Sequence, residues 1–295
     1  MTIQQLLGQA ESQLKIADVT SARLDSQLLL EHATSRHRSW LLAHAEEELP
    51  SDQVANYQAL ITKRSQRVPL VHLTNSREFY GMDFFVDENV LTPRIETETM
   101  VELAIKYAPE SSRLIDIGTG CGAMALAVAR QRPDLQIWAA DLSAQALAVA
   151  RRNASKHQLR VRFIQSDLFA SVGRQTATPG SSKPGLFSTV IANLPYLSTD
   201  AQSELLPEVK REPAVALFGG PGDGLGLYRR FLVQLPRHLE PGGYLFTESD
   251  PWQQPQLTDE AAKIGLALIE QDYFILSFQK QTKTPFKEGL SQRPR

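Results

Sequence analysis

The sequence predicts an α/β fold: a parallel sheet with helices on both faces, preceded by a small helical domain that a β-hairpin joins to it. Three observations point there. From Leu114 onward, short apolar runs of strand length alternate with helical segments, the pattern that wraps crossover helices around parallel strands. A glycine-rich turn, Asp116-Ile117-Gly118-Thr119-Gly120-Cys121-Gly122, closes the first of those runs, where such sheets bind ligands. Before Val71, by contrast, only helical periodicity is visible, and glycine occurs once, at Gly8.

Composition bounds the function. A chain of 295 residues makes one large domain or two moderate ones. Its 42% hydrophobic and 22% charged residues are those of an ordinary soluble protein. A formal net charge of -2 argues against bulk affinity for a phosphate backbone. Cys121 is the single cysteine, which rules out an internal disulfide and a cysteine-based metal site. No apolar run reaches the roughly 18 residues of a membrane span, and Met1-Thr2-Ile3-Gln4-Gln5 does not begin a signal peptide. The expectation is a cytoplasmic, monomeric, metal-free protein that touches neither membrane nor nucleic acid directly.

Taken in order, Ile3, Leu6, Leu7, Ala10 and Leu14 fall at helical spacing, as do Ala22, Leu24, Leu28, Leu29 and Ala33, then Trp40, Leu41 and Leu42. Asp52, ahead of Val54, Tyr57, Leu60 and Ile61, marks a further helix start. Residues 1–75 therefore read as a domain of short amphipathic helices. Over 76–92 the period changes, and Phe79-Tyr80-Gly81-Met82-Asp83-Phe84-Phe85-Val86 predicts a β-hairpin turning on glycine. The main domain is placed at 93–285 and a polar tail at 286–295. Leu91-Thr92-Pro93-Arg94-Ile95-Glu96-Thr97-Glu98 leads into a helix through Met100, Val101, Leu103 and Ala104, since Pro93 would stop a strand. Predicted strands lie at 114–117, 136–141, 161–164, 190–192 and 243–248, with a last pair within 267–282. Predicted helices lie at 123–129, 144–154, 225–239 and 257–265. Residues 171–186, rich in Gly, Pro and Ser, read as a loop, and the tail from Pro285 as poorly ordered.

Two motifs carry chemistry. The glycines allow a sharp turn and close approach to a ligand, and the helix behind them offers free N–H groups. Gly118, Gly120 and Ala123 also fit a dinucleotide fingerprint, and Asp141, ending the second strand, would serve the ribose of either NAD or S-adenosylmethionine. Asp116 separates the two cofactors. It precedes the glycines, an unhelpful neighbour for a pyrophosphate and a helpful one for an ammonium and a sulfonium. Asp167, near the end of the third strand, is placed to accept an adenine amino proton, with Leu168 and Phe169 as apolar surface beside it. Each acid alone reads as a solvated loop residue or cap; three closing successive strands favour S-adenosylmethionine.

The second motif is Val190-Ile191-Ala192-Asn193-Leu194-Pro195-Tyr196. Pro195 bars the strand from continuing, so Asn193 sits at a carboxyl end, where open α/β sheets place ligands. The Asn193 side-chain oxygen and the Leu194 carbonyl make two acceptors for one planar NH2 group, which is what methyl transfer to a planar nitrogen needs. Read alone, Asn-x-Pro at a strand end is a common turn. Coming after the glycine turn, it reads as a site.

With these motifs the chain resembles the release factor glutamine methyltransferase family, PrmC/HemK, over nearly its whole length. The resemblance rests on the helical N-terminal part, the hairpin, Thr92 to Glu98, Asp116 to Gly122 and Asn193 to Tyr196. It rests also on Arg211-Glu212-Pro213 running into Ala216-Leu217-Phe218-Gly219-Gly220 and Asp223-Gly224-Leu225. It implies a seven-stranded Rossmann-like class I methyltransferase domain, with the helical domain recognising the substrate. It implies methylation of the glutamine side-chain amide in the Gly-Gly-Gln loop of peptide chain release factors. By position, Gly118, Thr119, Gly120, Cys121, Gly122, Asp141, Leu168 and Asn193 would contact S-adenosylmethionine, and Asn193, Leu194, Pro195 and Tyr196 would hold the glutamine. The chain departs from the family twice. Leu194 stands where Asn-Pro-Pro-Tyr is usual, keeping the carbonyl but freeing φ and adding an N–H; Leu168 stands where an aromatic is frequent.

Other readings share parts of this evidence. A glutamine methyltransferase acting on a ribosomal protein would show every motif. A nucleic-acid adenine methyltransferase meets the same exocyclic-amine problem but needs a basic target-recognition region, against which the near-neutral charge argues. A non-enzymatic binding module rests on Leu194 alone.

Overall fold

The computed structural model of the chain describes residues 1–176 and 185–282. Its first part is five helices, α1 (Ile3–Ile16), α2 (Ala22–Thr34), α3 (Arg38–Ala43), α4 (Ser51–Ser65) and α5 (Leu70–Thr74). α1 starts on a capping box: the Thr2 hydroxyl accepts from the Gln5 N–H while Gln5 Oε1 accepts from the Thr2 N–H, satisfying two orphan donors reciprocally. Ile3, Leu6, Ala10 and Leu14 then share a face and meet Leu29, Leu30, Leu41, Tyr57 and Ile61 in a core of their own. Leu24 and Leu42, grouped with that core by spacing, are instead 45% and 49% exposed. α2 turns Asp25 inward in their place, to meet the buried guanidinium of Arg64 at 2.7 Å.

The hairpin, β1 (Arg77–Phe79) and β2 (Met82–Phe84), turns on Tyr80 and Gly81, both with positive φ. Paired left-handed residues give a two-residue turn the twist its strands need. Phe79, Met82 and Phe84 join the core of the main domain rather than that of the helices, so the hairpin belongs by packing to the main domain.

The main domain opens with α6 (Glu98–Tyr107), entered through a tight turn at Ile95–Thr97. Then come β3 (Arg113–Ile117), α7 (Ala123–Gln131), β4 (Gln136–Asp141), α8 (Ala144–His157), β5 (Arg162–Gln165), α9 (Val172–Thr176), β6 (Phe187–Ala192), β7 (Leu197–Ser198), α10 (Ala214–Leu217) and β8 (Phe218–Gly220). α11 (Gly226–Gln234), β9 (Leu239–Glu248), α12 (Gln254–Lys263), β10 (Leu266–Asp272) and β11 (Ile275–Lys280) complete the described fold. Seven strands form one sheet in the order β10-β11-β9-β6-β3-β4-β5. Six of the seven point the same way, and only β11, laid between β10 and β9, runs antiparallel to both its neighbours. Alternate residues serve opposite faces. Ile137, Ala139 and Ile191 pack with α6, α7 and α8, while Trp138, Ala140, Val190 and Ala192 pack with α11 and α12. Burial on both faces explains why the central strands read as unbroken apolar runs.

The chain builds outward from β3 to β5, then crosses back to lay β6 on the other side of β3. Strand order reverses there, and the crevice at that switch point is the binding place of open α/β sheets. β3 delivers the glycine turn to it and β6 delivers Asn193.

Three expectations need correction. Residues 171–186 are not all loop, because Val172 is buried and starts the short helix α9, whose Thr176 hydroxyl donates to the Val172 carbonyl; the remainder, 177–184, lies outside the described residues, as does the tail from Pro285. The helix expected at 225–239 ends at Gln234, since Pro236 has no N–H with which to continue it. β7, α10 and β8, after the Asn-Leu-Pro-Tyr motif, were not foreseen. Among the described residues no helix is long and apolar enough to cross a membrane.

Candidate active site

The glycine turn is held from β4. The Gly118 and Thr119 N–H groups donate to the Ala140 carbonyl at 2.8 and 3.1 Å, and the Gly120 N–H donates to Asp141 Oδ2 at 2.9 Å. Asp141 Oδ1 accepts from the Ser143 N–H at 2.8 Å. Burial pushes the Asp141 carboxyl upward against these bonds. Above the turn lies a cavity of about 550 Å³ whose wall includes Gly118, Gly120, Asp141, Asp167, Leu168 and, at one end, Asn193, Leu194 and Pro195. Gly118 has a φ of 77°, and a Cβ there would press on Leu194 Cδ2 at 3.1 Å, so the two motifs touch only because this residue lacks a side chain.

The other predicted turn residues stand behind that wall. Thr119 is buried and donates its hydroxyl to Asp116 Oδ2 at 2.6 Å. Cys121 is buried, its thiol pushed up to about 12 by burial, and its carbonyl accepts from Asn153 Nδ2. Gly122 caps α7 and packs on Ala150 and Leu126. Asp116 is likewise beneath the turn, fully buried, and burial raises its carboxyl to about 7. Strand alternation turns its side chain under the glycines, where it holds Thr119, so the charge expected to favour an ammonium and a sulfonium stands behind the turn, not on the cavity wall. Phe169 is corrected too. It stacks on His238 at 4.5 Å within the core, leaving Leu168 alone on the wall. Asp167 sits half-exposed at the rim and pairs with Arg230 at 2.6 Å.

A second cavity of about 160 Å³ adjoins the first, and Asn193, Leu194 and Pro195 line both. Arg94, Tyr196, Leu217 and Glu248 close its far side. Here hydrogen bonds run in one direction. Glu248, 4% exposed, accepts from the Thr97 hydroxyl at 2.7 Å and from the Tyr196 hydroxyl at 3.0 Å. Having given up its proton, Thr97 Oγ1 is left to accept, and it takes Asn193 Nδ2 at 3.3 Å. The Asn193 amide is thereby oriented, with its NH2 committed and Oδ1 left as the acceptor. Burial pushes the Glu248 carboxyl up, against bonds from Thr97, Tyr196 and Asn193 that draw it down. Burial, and the Glu248 charge after it, lift the Tyr196 phenol far above its ordinary value, so it stays a neutral donor.

The segment after the motif folds back onto it. Gln253 Nε2 donates to the Tyr196 carbonyl at 2.8 Å and to the Asp223 carbonyl at 2.6 Å. A Cβ on Gly219 would collide with the carbonyl oxygens of Pro195 and Gly224, which accounts for glycine in the Phe218-Gly219-Gly220 run. The same segment is gripped by the helical part of the chain. Glu208 accepts from Arg67 Nε at 2.5 Å, Arg67 Nη2 at 2.7 Å and Arg64 Nη1 at 2.9 Å. Burial raises the Glu208 carboxyl, but the bonds from Arg67 and Arg64 outweigh it and hold the group at about 2. Glu212 accepts from Arg94 and from the Thr92 N–H, and Arg211 donates to the Gln66 carbonyl.

Sequence reasoning missed Thr97, Tyr228, Gln253 and Glu248. Glu248 was findable: it ends the predicted strand at 243–248 as Asp141 ends its own, and the same argument about acids at strand ends applies to it. Tyr228 gave no signal beyond an aromatic at a core position of a helix.

Known proteins supply the comparison. Residues 5–74 match the family model of the PrmC N-terminal domain, and residues 96–201 match that of the methyltransferase small domain. The release factor glutamine methyltransferase of Deinococcus radiodurans is 36% identical over 267 residues, covering 90% of this chain and 92% of its own. The chain belongs to the release factor glutamine methyltransferase family. Family members from Moorella thermoacetica and Escherichia coli are 38% and 35% identical, over 92% and 88% of this chain and 93% and 90% of theirs. Membership in the release factor glutamine methyltransferases makes the chain an S-adenosylmethionine-dependent enzyme. The residues present fit that cofactor. The glycine turn leaves the cavity wall bare of side chains, the Asp141 oxygens retain lone pairs for a ribose, and Leu168 offers apolar surface. Asp116 Oδ1, buried without a partner among the described residues, keeps an unspent acceptor under the turn.

Proposed function

We propose that this chain methylates the side-chain nitrogen of the glutamine in the Gly-Gly-Gln loop of peptide chain release factors. Asn193, Leu194 and Pro195 supply the supporting observation, because they line both the larger and the smaller cavity. One face of the motif is open to a cofactor and the other to an incoming side chain. S-adenosylmethionine, when bound, supplies an electrophilic methyl group.

An amide nitrogen is a weak nucleophile, its lone pair delocalised into the carbonyl, so the task of the chain is alignment and electrostatics. Asn193 Oδ1 and the Leu194 carbonyl each accept one N–H of the glutamine. Together they turn its nitrogen toward the larger cavity and stabilise positive charge as the new bond forms. The phenol ring of Tyr196, held through its hydroxyl by Glu248, packs on the flat amide. No base need act beforehand: as the N–C bond forms, the methyl–sulfur bond would break to leave the neutral thioether, and the nitrogen then loses one proton to solvent. In this reading the helical domain of residues 1–75 docks the release factor, and Asp141, Asp167 and Leu168 seat the cofactor.

The test is incubation with a purified release factor and methyl-labelled S-adenosylmethionine, then mass mapping. Label on the Gly-Gly-Gln glutamine is the expected result. Label on a ribosomal protein, with none on the release factor, would replace the substrate and leave the chemistry. Asn193→Ala removes one of the two acceptors and lowers kcat on the order of 10²-fold; near-normal turnover in that variant rejects the role.

A further inference from the structure

We propose that Tyr228 is a positioning residue for methyl transfer, holding the Leu194 N–H so that the Leu194 carbonyl keeps its aim. The proposal rests on the reading of Asn193 and Leu194 as the two acceptors. Tyr228 comes from α11, whose Gly226, Leu227 and Arg230 line the larger cavity, but its own side chain turns into the core, fully buried with its ring edge-on to Phe231. Its hydroxyl owns one proton and two lone pairs. The proton goes to the Glu248 carbonyl at 2.6 Å. The lone pairs face the Leu194 N–H at 3.2 Å and the Thr247 hydroxyl at 2.8 Å. The Ala192 carbonyl, 3.3 Å from the phenol oxygen and 2.8 Å from the Thr247 hydroxyl, competes for both hydroxyl protons, whereas the Leu194 N–H is a fixed donor to the phenol. Leu194 and Glu248 both belong to the substrate-holding wall.

Backbone geometry gives these bonds their effect. A peptide unit is planar, so anchoring the Leu194 N–H fixes the plane between Asn193 and Leu194. On the other side Pro195 confines the ψ of the residue before it to extended values. With the plane held at one end, ψ confined at the other and the side chain buried against Gly118, the Leu194 carbonyl has little freedom left. A proline at this position would set φ through its own ring and would have no N–H to satisfy. Leucine leaves φ free and brings a donor, and Tyr228 turns that donor into the restraint. Leu194 is 3% exposed, so with the phenol oxygen gone its N–H would face no water that could replace it.

Two independent measurements test this. Single-turnover methyl transfer to a release factor is measured for the wild type, Tyr228→Phe, Leu194→Pro and the double variant, with cofactor affinity tracked by calorimetry. Tyr228→Phe is expected to slow transfer about tenfold in the Leu194 background while leaving the cofactor Kd within about twofold, the size expected for orphaning one buried donor. In the Leu194→Pro background the same change is expected to cost less than about threefold, because no N–H remains to be orphaned. Equal losses in both backgrounds overturn the proposal. Amide hydrogen exchange on the protein without substrate is the second measurement. Exchange at Leu194 should accelerate about tenfold or more in Tyr228→Phe while amides inside β6 stay protected, and unchanged exchange at Leu194 overturns it equally. Should the wild type fail to methylate a release factor, the parent reading falls, whereas the exchange result still decides whether Tyr228 restrains Leu194. The exchange measurement also decides if the Leu194→Pro protein does not fold.

Discussion

Replacing Glu248 by glutamine is the sharpest test of how the site is organised. The substitution preserves shape and removes only the charge and one acceptor. In the native site the carboxylate accepts from Thr97 and Tyr196 at 2.7 and 3.0 Å, and those directions propagate to the Asn193 amide. A hydrogen bond to a charged group contributes about 1.5–3 kcal/mol against about 1 kcal/mol for a neutral pair. Two such bonds weakened by about 1 kcal/mol each lose about 2 kcal/mol, or about 30-fold in kcat if the loss appears in the transition state. A glutamine Nε2 facing Thr97 would also free the threonine proton and allow Asn193 to present NH2, not oxygen, to the substrate. The assay is single-turnover transfer between pH 5 and 8. In the wild type an acid limb is expected, centred above the ordinary glutamate value of about 4.3 because burial raises the Glu248 carboxyl. Protonation turns that acceptor into a donor, so activity falls as pH falls through it. In Glu248→Gln the limb should vanish along with the rate. A variant keeping more than half of the native kcat, or keeping the same acid limb, refutes the reasoning.

Other perturbations address the remaining parts. Asp141→Ala withdraws the acceptor of the Gly120 and Ser143 N–H groups and the one proposed for the cofactor ribose, and calorimetry should find cofactor affinity weakened about 10- to 100-fold. Asp116→Asn separates buried charge from geometry. Because burial raises the folded-state carboxyl to about 7, the wild type carries its full contribution below the ordinary aspartate value and loses it as pH rises through about 7. Denaturant titrations should show the wild type losing about 2–3 kcal/mol more stability between pH 5 and 8 than Asp116→Asn does. Glu208→Ala leaves Arg64 and Arg67 without that carboxylate, and unfolding free energy should drop by about 3 kcal/mol; a drop below about 0.5 kcal/mol would make the ion pairs ornamental.

Much of this architecture was legible in the order of residues. Apolar runs of strand length separated by alanine-rich helices specify a parallel sheet, and Gly118 and Gly120 specify where a ligand would meet it. Asn193 was legible because Pro195 stops a strand. The hidden part depends on long-range pairing. Asp116 was placed in the right strand, but which face it serves depends on alternation counted from neighbours that only the assembled sheet supplies. Leu24 looked like core until Asp25 beside it was found facing Arg64, thirty-nine residues away. The dependence of Asn193 on Thr97, 96 residues earlier, leaves no local trace at all. Phe169 shows the converse: an aromatic beside a predicted ligand site need not touch it when a helix offers a deeper berth.

The hold of Arg64 and Arg67 on Glu208 reaches beyond stability. A truncated protein lacking its first helices would strip that glutamate of both cations while leaving it beside Val209 on the smaller cavity's wall. Chimeras that take their leading helices from a donor without these two arginines would inherit mismatched charges at this seam. Recombination would therefore work when the donor brings two arginines in register, or when the recipient's glutamate is neutralised in the same step.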